Sequence, residues 1–109
     1  MAIEVNGDAF EKEVIQSKIP VLVDFWGPQC APCLALMPDV EALTEKHDGK
    51  IKLVKIDASK NRRFCLNMRV LGLPTYLIYE DGKEIKRLSG GDLTIADIEE
   101  SIKELIKQK

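Results

Sequence analysis

The run Pro20-Val21-Leu22-Val23-Asp24-Phe25-Trp26 constrains the fold of this chain more than any other segment. It is apolar almost without interruption and of strand length, the pattern of a central strand covered on both faces rather than one side washed by water. Asp24 is its single charge, so a carboxylate is expected inside a core. Directly behind it comes Gly27-Pro28-Gln29-Cys30-Ala31-Pro32-Cys33, where two thiols stand one helical turn apart at the opening of a helical pattern. Backbone N–H groups at a helix start are unpaired, and their partial positive charge favours an anionic sulfur at Cys30. Positions i and i+3 share one face, so the sulfur of Cys33 can reach that of Cys30. The arrangement reads as a redox switch.

The remaining elements follow from local chemistry. Asp8-Ala9-Phe10-Glu11 has the form of a capping box, which predicts a first helix over Asp8–Ser17. Leu36, Val40 and Leu43 recur at helical spacing between Pro32 and Lys46, and Pro38 interrupts the hydrogen-bond ladder, predicting a long kinked helix. Ile51–Asp57 is the next strand, and strand, helix, strand in this order predicts a parallel pair. Ser59 is expected to cap a short helix running to Asn67. Thr75–Glu80 and Lys83–Leu88 flank Asp81-Gly82, the strongest two-residue hairpin signal. Thr94 opens a last helix whose Ile95, Ile98, Ile102, Leu105 and Ile106 form one stripe. Helices before, between and after the strands predict an α/β fold with a mixed sheet between helical layers.

With 109 residues the chain forms one domain, 1–109, and it shows no repeat or interdomain linker. A net charge of -2 with mixed signs excludes a broad electrostatic footprint for nucleic acid or an anionic membrane. The first residues lack the basic and apolar regions of a secretory signal, and the apolar runs are too short to span a bilayer, so a cytoplasmic location is expected. In a reducing compartment a C-x-x-C pair is catalytic or metal-binding rather than structural. Zinc needs four ligands and only Cys65 and His47 remain beside the pair, so no metal is expected. Cys65 reads as an inert packing thiol and His47 as solvated.

In order and spacing, Val21–Trp26, Cys30-Ala31-Pro32-Cys33, Pro38, Gly72-Leu73-Pro74-Thr75 and Gly90 resemble the thioredoxin family over nearly the whole chain. The resemblance implies a thioredoxin fold, five mixed strands flanked by four helices, and a dithiol-disulfide oxidoreductase that reduces protein disulfides. Disulfide oxidase or isomerase activity and a non-catalytic docking module are the competing readings. The resemblance makes Cys30 the attacking nucleophile and Cys33 the resolving thiol, with no cofactor beyond their own redox-active disulfide. It gives Asp24 the task of taking the Cys33 proton, with Lys55 on the neighbouring strand as its expected ion-pair partner and with Trp26 and Pro32 in support. It implies a cis bond before Pro74, turning the backbone of Leu73 toward the dithiol to pair with an extended client.

Gly27, Gly72, Gly90 and Gly91 are expected at close approaches or positive φ around this edge. Ala31, Leu34, Leu71 and Leu73 are expected to add a small apolar docking patch. The chain has no nucleotide-binding glycine loop, so electrons are expected from a protein donor of the thioredoxin-reductase type, acting on a monomer. Where the family typically reads Trp-Cys-Gly-Pro-Cys-Lys, this chain has Gln29-Cys30-Ala31-Pro32-Cys33-Leu34, and Leu71 replaces a residue that is basic in many members. The two leucines withdraw Coulombic support from a Cys30 thiolate, which predicts a higher thiol pKa than in relatives with cations there.

Overall fold

A computed structural model describes residues 2–107. Five strands form one mixed sheet in the order β1-β3-β2-β4-β5, with β1 Ala2–Val5, β2 Val21–Trp26, β3 Lys52–Asp57, β4 Thr75–Glu80 and β5 Lys83–Ser89. β2 lies at the centre, parallel to β3 and antiparallel to β4, and all of Val21–Phe25 is buried, as its uninterrupted apolar character requires. β1 was not located by the sequence. It pairs parallel to β3 through four residues of mixed character, too few to show a period.

Side chains of β2 alternate between two helical layers. Val21, Val23 and Phe25 point to one side, where they pack with Phe10, Val14, Cys65, Leu77 and Tyr79. Leu22 points to the other, among Leu36, Val40 and Leu43 of helix α1 (Ala31–Lys46) and Ile98, Ile102 and Leu105 of helix α3 (Ile95–Lys107). α1 stays continuous through Pro38, whose exposed ring withholds a donor without ending the helix. Thr94 and Asp97 cap α3 reciprocally, each side chain accepting from the other's backbone N–H. Among the described residues no helix is long and apolar enough to cross a membrane.

Two expected caps take other forms. The first helix is not a regular one capped by Asp8. Gly7–Ala9 makes a 3-10 turn and Glu11–Ile15 a π-helical segment, with no side-chain cap on either. Gly7 sits against the Phe64 ring, where an added Cβ would lie 2.8 Å from a ring carbon, so tertiary packing shapes this entry. Ser59 receives a cap instead of supplying one. The Asp57 carboxylate accepts from the Ser59 N–H and hydroxyl, holding a 3-10 turn at Ala58–Lys60 ahead of helix α2, Arg62–Asn67. The Asp81-Gly82 turn forms as expected, with φ of 53° and 79°, and the β4–β5 register shifts just before it, at Ile78/Tyr79.

Candidate active site

Trp26 ends β2 and Ala31 begins α1, so residues 27–30 carry the chain from the sheet edge onto a helix start. Cys30 is the N-cap, in extended conformation, and its Sγ accepts a hydrogen bond from the Cys33 N–H at 3.2 Å. One of the helix's orphan donors is thus aimed at this sulfur. Pro32 occupies the first turn, where a missing N–H costs nothing. Cys30 and Cys33 are joined by a disulfide with their Cα atoms 5.2 Å apart. Cys30 is half-buried while Cys33 is 0% exposed. One sulfur therefore meets the surroundings and the other waits behind it.

Asp24 is also 0% exposed, and neither carboxylate oxygen has a hydrogen-bond partner among the described residues. It alternates with the inward-facing Val23 and Phe25, so it projects to the side covered by α1, whose buried stripe runs Cys33, Leu36, Val40, Leu43. Burial pushes its pKa up to about 7, the positive charge of Lys55 works against that, and Glu4 and Glu41 reinforce it. Lys55 is the direct cross-strand neighbour of Asp24. Its ammonium, however, bonds the Glu41 carboxylate of α1 at 2.8 Å rather than Asp24. The expected ion pair is thus replaced by one that ties α1 to β3, leaving Asp24 a buried acid poised near neutrality. Trp26 is half-buried, and its indole N–H donates to Glu4 at 3.2 Å.

The Leu73-Pro74 bond is cis. The Thr75 hydroxyl donates to the Gly72 carbonyl at 2.6 Å, and the Gly90 N–H to the Pro74 carbonyl at 3.2 Å, fixing this loop against β5. Leu73 borders two shallow depressions. One is shared with Gly27, Gln29, Cys30, Ala58 and Arg62, the other with Arg69, Leu71, Thr75, Arg87 and Gly90. Gly90 has φ 119°, a conformation that favours glycine, while a Cβ on Gly27 would meet the Leu73 side chain at 3.2 Å, a tight approach that a small shift of that side chain would relieve. Gly72 and Gly91 carry no such constraint: neither has positive φ, and each faces open space. Ala31 is exposed, Leu34 is 45% exposed and Leu71 80%, so the apolar residues expected around the motif are accessible.

Two residues escaped the sequence reading. Arg62 lines the Cys30 depression and returns a positive charge to the neighbourhood that Leu34 and Leu71 had emptied. Its signal was the basic run on the short helix, but its position beside Cys30 arises from tertiary folding. Tyr76 stands directly opposite Asp24 on β4, fully buried, with its hydroxyl lacking a hydrogen-bond partner among the described residues. Its pKa is raised, by burial first and by the Asp24 charge second. A further depression, with Lys18, Pro20, Lys50 and Leu105 in its lining, lies at the start of β2, away from Cys30. No group of three or more His, Cys, Asp or Glu side chains among the described residues is placed to hold a metal ion.

A partly exposed cysteine bridged to a buried one at a helix start can exchange disulfides with another molecule. The comparisons with known proteins agree. The thioredoxin family model matches residues 1–104. A thioredoxin of Acetoanaerobium sticklandii is 43% identical over 103 residues, covering 94% of this chain and 98% of that protein. One of Peptoclostridium acidaminophilum is 37% identical, covering 94% and 93%, and one of Streptomyces clavuligerus is 40% identical, covering 79% of each. The chain belongs to the thioredoxin family of dithiol oxidoreductases, which reduce protein disulfides with their own cysteine pair and no bound cofactor.

Proposed function

We propose that Cys30 is the nucleophile, Cys33 the resolving thiol and Asp24 the base that serves it, in a single cytoplasmic domain acting as a monomer. In the reduced protein the Cys30 thiolate attacks one sulfur of a client disulfide. The client S–S bond breaks, one client thiolate leaves and takes a proton from water, and a mixed disulfide forms on Cys30. Asp24 then accepts the Cys33 proton, the Cys33 sulfur attacks Cys30, and the second client thiolate departs. Two electrons pass to the client, reducing its disulfide to two thiols, and the protein is left oxidised, with Cys30 and Cys33 joined. Family membership implies two kinds of partner, disulfide-bearing clients and a reductase that returns two electrons and two protons to the bridge.

The observation that carries these roles is the asymmetry of the two sulfurs, half-buried at 30 and fully buried at 33. Asp24 suits its role because a carboxyl titrating at about 7 can both take and return a proton near neutrality. Leu73, Pro74, Gly72, Gly90, Gly91 and Ala31 form the client-side rim in this reading, with Lys55, Trp26 and Pro32 holding the machinery in place. A reductive direction requires a reducing compartment, which supports the cytoplasmic location. The test is a Cys33→Ser variant presented with an oxidised client. The expected product is a dithiol-sensitive adduct on Cys30 that fails to turn over. No adduct, or one on Cys65, contradicts the assignment.

A further inference from the structure

Charge is unevenly distributed around the reactive sulfur. The segment 58–72 contains Lys60, Arg62, Arg63 and Arg69 and no carboxylate, although the whole chain carries -2. Folding brings two of these cations to the depressions on either side of Leu73: Arg62 beside Cys30, and Arg69 beside Leu71 and Gly90. Neither has a side-chain hydrogen bond or ion pair among the described residues. The neighbouring Arg87 differs, since its guanidinium is spent on Glu84 and on the carbonyls of Met68 and Arg69. Of the nearby acids, Glu84 is paired with Arg87, Asp57 accepts from Ser59 but keeps its charge, and the Asp92 carboxylate lies next to Gly90, where an added Cβ would meet its Oδ1 at 3.1 Å.

Arg69 stands out in backbone too. It follows α2 at φ 59°, a left-handed conformation in which glycine or asparagine is cheaper by about 1 kcal/mol. An arginine is held there, next to the loop that carries Leu73.

We propose that this surface selects disulfide-bearing polypeptide segments with acidic residues on both sides of the attacked cysteine, Arg62 meeting one flank and Arg69 the other. This rests on the assignment of Cys30 as nucleophile and names the client class for that site. Free guanidiniums beside an apolar rim make strong, geometrically selective contacts to carboxylates, and they speed encounter with an anionic segment at low salt. A cation acting only on the Cys30 thiolate would accelerate every client alike, so selectivity between clients separates the two roles.

The experiment uses three synthetic peptides with the same internal disulfide, its cysteines flanked by Glu, Gln or Lys. Reduction by the dithiol form of the full chain is followed at low and high ionic strength. The Glu peptide is expected to react about tenfold faster than the Gln peptide at low salt, with the ratio collapsing at high salt. In the Arg62→Glu/Arg69→Glu double variant the preference is expected to turn toward the Lys peptide. Arg62→Lys/Arg69→Lys is expected to retain part of it, and Lys103→Ser, on α3, all of it. Equal rates for the three peptides, or a Glu preference surviving charge reversal, overturns the proposal. Failure to reduce any of the three instead overturns the assignment of Cys30.

Discussion

The two faces of the sheet use the same central strand for different ends. On one side Val21, Val23 and Phe25 meet an aromatic cluster in which Phe10 touches Phe64 and Tyr79 at ring-centroid distances of 5.1 and 5.4 Å, and Phe25 stacks with Phe64 at 6.4 Å. On the other, the cross-strand row Lys55, Asp24, Tyr76 interrupts the apolar layer of α1 and α3 with one ion pair and with a carboxyl and a hydroxyl that have no hydrogen-bond partner among the described residues. The first face is filled for stability. The second holds a titratable group next to the helix that carries the thiols at a cost in stability, as the role proposed for Asp24 requires.

Four substitutions probe that contrast. Phe25→Ala should remove about 3–5 kcal/mol of stability, measured by denaturant unfolding, because it empties a fully buried ring from the apolar face. Its effect on the disulfide exchange of Cys30 should be slight at temperatures where the variant is folded. Asp24→Asn should act in the opposite direction, and with pH dependence. The folded carboxyl holds its proton up to about 7, while the unfolded one releases it near 3.8. Between those values folded Asp24 binds more protons than unfolded Asp24, so the contribution of this group to stability falls as pH rises and levels off above neutrality, opposite in sign to the lowered carboxyls of Glu13, Glu84 and Asp97. At roughly 1.4 kcal/mol per pH unit the loss is about 4 kcal/mol, which Asp24→Asn should abolish. Stability curves of both proteins at pH 4 and pH 8 check this, and a difference between wild type and Asp24→Asn that is the same at both pH values would break the contrast.

Smaller effects sharpen it. Gly7→Ala should cost about 1–3 kcal/mol, because the new methyl group meets the Phe64 ring on the tightly packed face. Tyr76→Phe should be neutral or stabilising by up to about 1 kcal/mol, since it removes a buried hydroxyl that has no hydrogen-bond partner among the described residues. A large loss there would show that the hydroxyl is bonded in solution and that the polar row is more tightly built than the geometry indicates.

What could be read from the sequence was what local chemistry encodes. The uninterrupted run of β2 demanded burial on both faces, Asp81-Gly82 demanded a primed turn, and Thr94 and Asp97 stand at capping spacing. Cys30 and Cys33 announced themselves by position relative to strand and helix. Features that depend on what crosses between layers were silent. Lys55 turns to Glu41 because α1 passes over β3, which no spacing within either element reveals. Arg62 reaches the Cys30 depression only because the turn at Ala58–Lys60 returns α2 to the motif. The π-helical segment over Glu11–Ile15 has no local signal, and Gly7 and Phe10, on either side of the capping pattern at Asp8, both pack on the distant Phe64 ring.

The most direct test of the central claim is the rate of mixed-disulfide resolution as a function of pH, in wild type and in Asp24→Asn. The account predicts a wild-type rate that rises through an inflection near pH 7, and a variant slowed about 100-fold with that inflection gone. Superimposable profiles for the two proteins would contradict it.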